Sequence, residues 1–317
     1  MQRKIINYLM GFFFSFLILG GLSCGGPGKI ALDPESRDFY EIAQLIMTKH
    51  EKAIFRHLPD KESREEFIED FWTKRDPDPH TDENIFKDEF FRRIEYANKR
   101  FKEGLPGWKT DRGRIYIYLG PPDKFDELFT HDERDFKGER IRGSLLIWYY
   151  YRYQLGIKFV DKDGTGHFTF DPSPYEMGGG LIGSLTDAID RAKLGITSDK
   201  EGFAKKFVNF DVKFDNKKKE IVVSIPVKSI MFKEEDGLLK ADFEFEFYIY
   251  EKKDLKKVKF KEAKSFKKPE DEVLELDDII FTFPYNLNPG KFYFDVIIII
   301  EGGLGKARKI LEIKVKT

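Results

Sequence analysis

The sequence predicts an α+β protein: N-terminal helices packed on a small antiparallel sheet, followed by a C-terminal all-β, immunoglobulin-like sandwich. Three observations carry this. Apolar residues recur at helical spacing over 36–103, mixed strand and turn patterns fill 113–200, and period-two alternation dominates 205–317. A chain of 317 residues has room for two such domains.

Residues 1–23 read as a lipoprotein signal peptide. Arg3 and Lys4 open it, an apolar stretch from Tyr8 to Leu19 follows, and Gly20, Gly21 and Ser23 lead into Cys24. The run Gly21-Leu22-Ser23-Cys24 resembles a bacterial lipobox, with Gly21 at the position usually held by Leu and Leu22 one place later. The resemblance implies lipidation of Cys24, the only cysteine, and anchoring on a membrane by at least two acyl chains. Gly25 rather than Asp follows it, which favours the outer membrane, facing the periplasm. Residues 24–35, with Gly25, Gly26, Pro27 and Gly28, read as a flexible tether.

Cleavage before Cys24 removes two of the 55 basic residues and none of the 56 acidic ones, leaving a formal charge of −3. No basic excess remains for a phosphate backbone, so no nucleic-acid partner is expected. With Cys24 lipidated, no disulfide, thiolate metal site or cysteine nucleophile is expected.

The helical part is expected to hold three helices. The first, Ser36 to His57, aligns Phe39, Ile42, Ala43, Ile46 and Met47; the second, Lys61 to Lys74, aligns Phe67, Ile68, Phe71 and Trp72. The third, Asp82 to Glu103, aligns Ile85, Phe86, Phe90, Ile94, Ala97 and Phe101 before Gly104 and Pro106 close it. Their aromatic faces are expected to pack on the sheet that follows. That sheet should begin with a strand from Arg114 to Gly120, where Ile115, Ile117 and Leu119 alternate with Tyr116 and Tyr118. A central strand over Ser144 to Gln154 and a hairpin turned at Asp163-Gly164 follow. A Gly-rich loop at Met177 to Gly183 and a helix near Leu185 to Leu194 complete the domain. Beyond Lys205, about seven strands with polar–apolar alternation predict the sandwich.

The densest unusual run is Gly107-Trp108-Lys109-Thr110-Asp111-Arg112-Gly113-Arg114, between the third helix and the first expected strand. It admits two readings. In one, Gly107, Trp108, Thr110, Asp111, Arg112 and Arg114 face a ligand in a pocket shared with Tyr149. In the other they form a structural corner, with glycines supplying backbone freedom and Thr110 or Asp111 capping N–H groups. These residues match the GWxTD pattern, and the chain resembles bacterial GWxTD domain proteins. Phe71-Trp72, Arg75-Asp76-Pro77, Asn84, Phe90, Arg93, Ala97-Asn98, Gly120-Pro121-Pro122-Asp123 and Trp148-Tyr149-Tyr150 agree with it in order, over roughly residues 39 to 175. The resemblance implies an exported or lipid-anchored envelope protein and supplies no catalytic residues.

Other patterns lead away from chemistry. Asp161-Lys162-Asp163-Gly164 resembles the start of a calcium loop, but Pro172 stands at the twelfth position where a carboxylate is required. Gly178 to Gly183 fits GxGxxG without the strand and βαβ unit a dinucleotide needs. The five histidines have no partner at i+3 or i+4, so no metal or cofactor is expected. The resulting expectation is a non-enzymatic envelope protein that binds or scaffolds a protein or glycan partner. The alternative is an envelope hydrolase or small-ligand protein with its site at the Gly107–Arg114 loop.

Overall fold

The computed structural model describes residues 32–77, 81–129, 137–138, 143–172, 184–193, 209–301 and 305–316. The signal and lipidation readings at 1–24 and the Gly-rich run at 177–183 lie outside the described residues. The α+β plan is as predicted: helices, a small antiparallel sheet, then antiparallel β-sheets.

The helices are α1 (Pro34–Ala43), α2 (Lys49–His57), α3 (Lys61–Thr73), α4 (Ile85–Arg100) and α5 (Asp111–Leu119). The single helix expected over 36–57 is two. Thr48 interrupts it with a capping box: its hydroxyl accepts from Glu51 N at 3.2 Å, and the Glu51 carboxylate accepts from Thr48 N at 2.8 Å.

The strand expected at Arg114–Gly120 is the helix α5, a second correction. Thr110 caps its start and Gly120, at φ 81°, ends it. The alternation Ile-Tyr-Ile-Tyr-Leu misleads because α5 is buried on several sides. Ile117 enters the core of the helices, while Ile115, Tyr116 and Leu119 enter the core of the sheet that follows. A helix buried all round loses the amphipathic signature.

That sheet has the order β1-β2-β3-β4 from β1 (Lys124–Phe129), β2 (Ser144–Tyr150), β3 (Leu155–Asp161) and β4 (Phe168–Asp171). All its pairings are antiparallel, and Gly164 in the turn of the expected hairpin has φ 70°. Strand β2 stops at Tyr150, short of Gln154, which adopts φ 54° after a 3₁₀ turn. Helix α6 (Leu185–Lys193) packs on the same core through Ala188.

The sandwich comprises β5 (Asp211–Asp215), β6 (Glu220–Pro226), the short β7 (Lys233–Glu235), β8 (Leu238–Glu251), β9 (Lys257–Pro269), β10 (Asp278–Pro284), β11 (Gly290–Ile300) and β12 (Gly305–Val315). A short helix, α7 (Glu270–Leu274), connects β9 to β10. One sheet has the order β10-β6-β5; the other places β8 between β9 and β11, with β12 outside β11 and β7 at the start of β8. Chain order crosses between sheets in the manner of an immunoglobulin-type sandwich. Its core is built from inward rings and aliphatic chains of both sheets, among them Phe243, Phe245, Phe247, Phe281, Phe283 and Phe294.

The helices do not rest mainly on the sheet that follows them. Residues of α1 to α5 share one core cluster with Tyr248 and Tyr250 of β8 and Tyr293 and Ile297 of β11, on the outer face of the larger sandwich sheet. Residues 32–317 accordingly form one compact unit. Among the described residues, no helix is long and apolar enough to cross a membrane.

Candidate functional site

The run from Gly107 to Arg114 is a tightly packed corner. A 3₁₀ turn, Gly107–Lys109, leads through Thr110 into α5. A Cβ on Gly107 would lie 1.8 Å from the Ala97 carbonyl oxygen of α4, and one on Gly113 would lie 1.8 Å from the Gly107 oxygen. Both glycines are therefore required by close approach of backbone to backbone. Thr110 ties the corner together: its hydroxyl donates to Gly107 O at 2.8 Å and accepts from Gly113 N at 3.1 Å.

The remaining side chains are spent on neighbours. The Asp111 carboxylate accepts from Phe170 N of β4 at 2.9 Å, joining helix to sheet. Arg112 donates through Nε to Glu103 at 2.8 Å and lies 4.1 Å from the Phe168 ring centroid. Glu103 also accepts from Phe168 N at 3.1 Å and lies 3.1 Å from His167 Nδ1. Trp108 is half-buried against the helical core, its backbone N–H donating to Asn98 Oδ1 at 3.2 Å, with Lys109 Nζ 4.6 Å from its ring centroid. Arg114 is exposed. Tyr149 belongs to a separate cluster with Leu145, Ile147 and Val160, on the face of β2 opposite Trp148 and Tyr150. Arg112, Arg114 and Tyr149 therefore do not converge on a common pocket.

A second constellation lies where α2 and the end of α3 meet the sandwich. Glu51, Lys74, Arg75, Asp295 and Arg308 are all buried. Arg75 holds Glu51 through two bonds of 2.9 and 2.8 Å and stacks on Phe71 at 3.7 Å. Arg308 donates to both Asp295 oxygens, at 2.8 and 2.7 Å, and to Glu51 at 2.7 Å. Lys74 donates to Asp295 at 2.9 Å. Burial alone would raise the Glu51 carboxyl, but Arg75 and Arg308 hold it well below the usual range. Asp295 is likewise lowered, with burial outweighed by Arg308 and Lys74. Burial drives the Lys74 ammonium down against the pull of Asp295. Such a network fixes how two layers dock, because every member loses its water and must find its partner.

Sequence reasoning singled out the GWxTD run, and Arg75 within the family pattern, but not Glu103 or the other buried ions. Asp295 had a signal: it is the lone charge inside the apolar stretch Phe292 to Ile300. Glu51 had another, as the third residue after Thr48 in a capping pattern.

These features define an α+β protein whose helical domain is closed by a glycine corner between α4 and α5 and clamped onto an immunoglobulin-type sandwich by a buried ion network. Residues 34–153 match the model of the GWxTD domain, and the chain is a GWxTD domain-containing protein. No curated protein matches the chain. Solved structures with some likeness include a family 76 glycoside hydrolase from a bovine Bacteroides thetaiotaomicron strain, 13% identical, covering 34% of this chain and 20% of that one at a TM-score of 0.20. The chain thus spans about a fifth of that enzyme's length. Another is the chicken interferon gamma receptor alpha chain, 10% identical, covering 55% of this chain and 92% of that one, also at 0.20. Neither likeness bears on function.

Proposed function

We propose that this protein is exported, held on a bacterial membrane by acyl chains on Cys24, and acts as a non-enzymatic binding or scaffold module of the cell envelope. The observation that carries the non-enzymatic part is the commitment of the GWxTD polar groups to internal contacts: Thr110 to Gly107 and Gly113, Asp111 to Phe170, Arg112 to Glu103. Loops that act on ligands lie at the surface, whereas Thr110 is buried in this corner. The anchor rests on the sequence alone: the basic start, apolar stretch and small residues before Cys24. Gly25 in place of Asp favours an outer-membrane, periplasm-facing address, and the partner class is an envelope protein or glycan.

Metabolic labelling with a fatty acid tests the anchor. Label is expected in the wild-type chain and absent from Cys24→Ala; equal label in both would refute it. For the binding role, crosslinking in intact cells followed by recovery of this chain is expected to bring down a defined envelope component. Recovery of the chain by itself would count against that role.

A further inference from the structure

The two sheets of the sandwich differ in width at one side. Inward rings of β10 sit beneath β8: Phe281 lies 5.0 Å from both Phe243 and Phe245, and Phe283 lies 4.9 Å from Phe245 and 4.8 Å from Phe247. Strand β9 hydrogen-bonds to the next edge of β8 and so overhangs β10 by one strand spacing, about 4.8 Å. Among the described strands, β10 pairs only with β6. The space beneath β9 is a groove of about 290 Å³.

Its roof is made by the inward face of β9. Phe260 stacks on Phe247 at 4.7 Å, which fixes the parity of the face. Val258 is 36% exposed, whereas its β8 partner Ile249 is at 2% and Phe243, Phe245 and Phe247 further along β8 are at 1% or less. Lys264 stands at the same groove; its carboxylate contact with Glu262 is 3.9 Å, at the outer limit of an ion pair. The two bordering edges also differ. Strand β9 is studded with lysines, a common guard against pairing, but Asp278-Ile-Ile-Phe-Thr-Phe-Pro284 carries none and leaves Ile280 63% exposed.

We propose that this slot binds one extended peptide segment of a partner protein, added as a strand beside β10 and under β9. The overhang of β9 admits a single strand and excludes a second folded sheet, including another copy of this sandwich. Inward residues of the guest are apolar, to cover Val258 beside the Phe260–Tyr285 stack, whose centroids lie 5.1 Å apart, and a carboxylate of the guest meets Lys264. The proposal rests on the reading of this protein as a binding module and gives that reading a site.

Selection of a random-peptide phage library against the full chain tests it, with the enriched peptide synthesised as the probe. Enriched sequences are expected to alternate apolar and polar residues with an acidic position, and the peptide should slow amide exchange at residues 278–284. Val258→Lys is expected to weaken it about tenfold or more, and Lys264→Glu should turn the acidic preference basic. Both side chains are partly exposed, so both variants should melt like the wild type; Ile280→Lys, on the outer face, is a further variant that should hinder pairing. The idea fails if no peptide is enriched, if protection appears elsewhere, if Val258→Lys binds unchanged, or if a glycan panel occupies the groove instead. None of those outcomes touches the fatty-acid label at Cys24 or recovery of a partner bound elsewhere on the chain, so the two readings fall separately.

Discussion

Lys74 and Asp295 meet at 2.9 Å with side chains 1% and 0% exposed, although 221 residues separate them in sequence. One stands just past the end of α3 and the other on β11, so the pair fastens the helical layer to the sandwich.

Removing one member of this network should cost far more than a surface ion pair. Asp295→Ala leaves Lys74 buried without its carboxylate and Arg308 with Glu51 alone, and is expected to destabilise the protein by about 3–5 kcal/mol. Chemical denaturation measures it; a loss below about 1 kcal/mol would show that the network does not clamp the layers.

Helices and sandwich should melt together. Because Tyr248, Tyr250, Tyr293 and Ile297 lie in the helices' own core cluster, far-UV and near-UV circular dichroism are expected to report one coincident transition. Two separated transitions would mean that the shared core is not cooperative.

At the corner, Gly107→Ala and Gly113→Ala each place a methyl group 1.8 Å from a backbone oxygen. Neither oxygen can rotate away, so each variant should lose about 3 kcal/mol or fail to fold. Trp108→Phe, at a half-buried ring, should be milder. Thermal melts rank them, and an alanine tolerated at Gly107 would contradict the packing described.

Acid should loosen the molecule through lowered carboxyls. Glu51 and Asp295 titrate below their ordinary range when folded, so their stabilisation is complete above the usual carboxylate pKa of about 4 and is lost as pH falls through the folded values. Asp33 adds to this at the start of α1: the Ser36 N–H and hydroxyl, helped by Arg64, hold it at about 2. Lys74 has the opposite sense. Its pKa is lowered on folding, so the unfolded chain binds the extra proton and stability rises toward the ordinary lysine range. Urea midpoints should therefore climb from acid pH and not fall between pH 7 and about 9; a shallower acid limb in Asp295→Ala would tie the effect to this cluster.

The fold was legible where periodicity had one partner face. Strands such as Phe243-Glu244-Phe245-Glu246-Phe247 alternate because one side meets a core, and α3 shows its stripe for the same reason. The segment Arg114 to Gly120 hid its helix because Ile117 faces one core and Ile115 and Leu119 another, which erases the pattern that separates helix from strand. Break points depended on caps, and Thr48 with Glu51 marked the split that apolar spacing alone ran through. At the site, Thr110 and Asp111 were visible as capping types, but Glu103 was not, since nothing local says that one carboxylate will hold Arg112, His167 and the Phe168 N–H together.

The bond from Arg308 to Glu51 spans 257 residues, and it constrains the order in which the chain can assemble. Strand β12 is the last described element, so Glu51 lacks Arg308, Lys74 lacks Asp295, and the helices lack the cover of β8 and β11 until the C-terminal half is present. A chain emerging from its N-terminus holds Phe55, Phe67 and Phe71 unfinished through that whole interval. Contacts of such long range are slow to close, and aggregation during synthesis or export is then governed less by the final stability than by how those early helices are shielded while they wait.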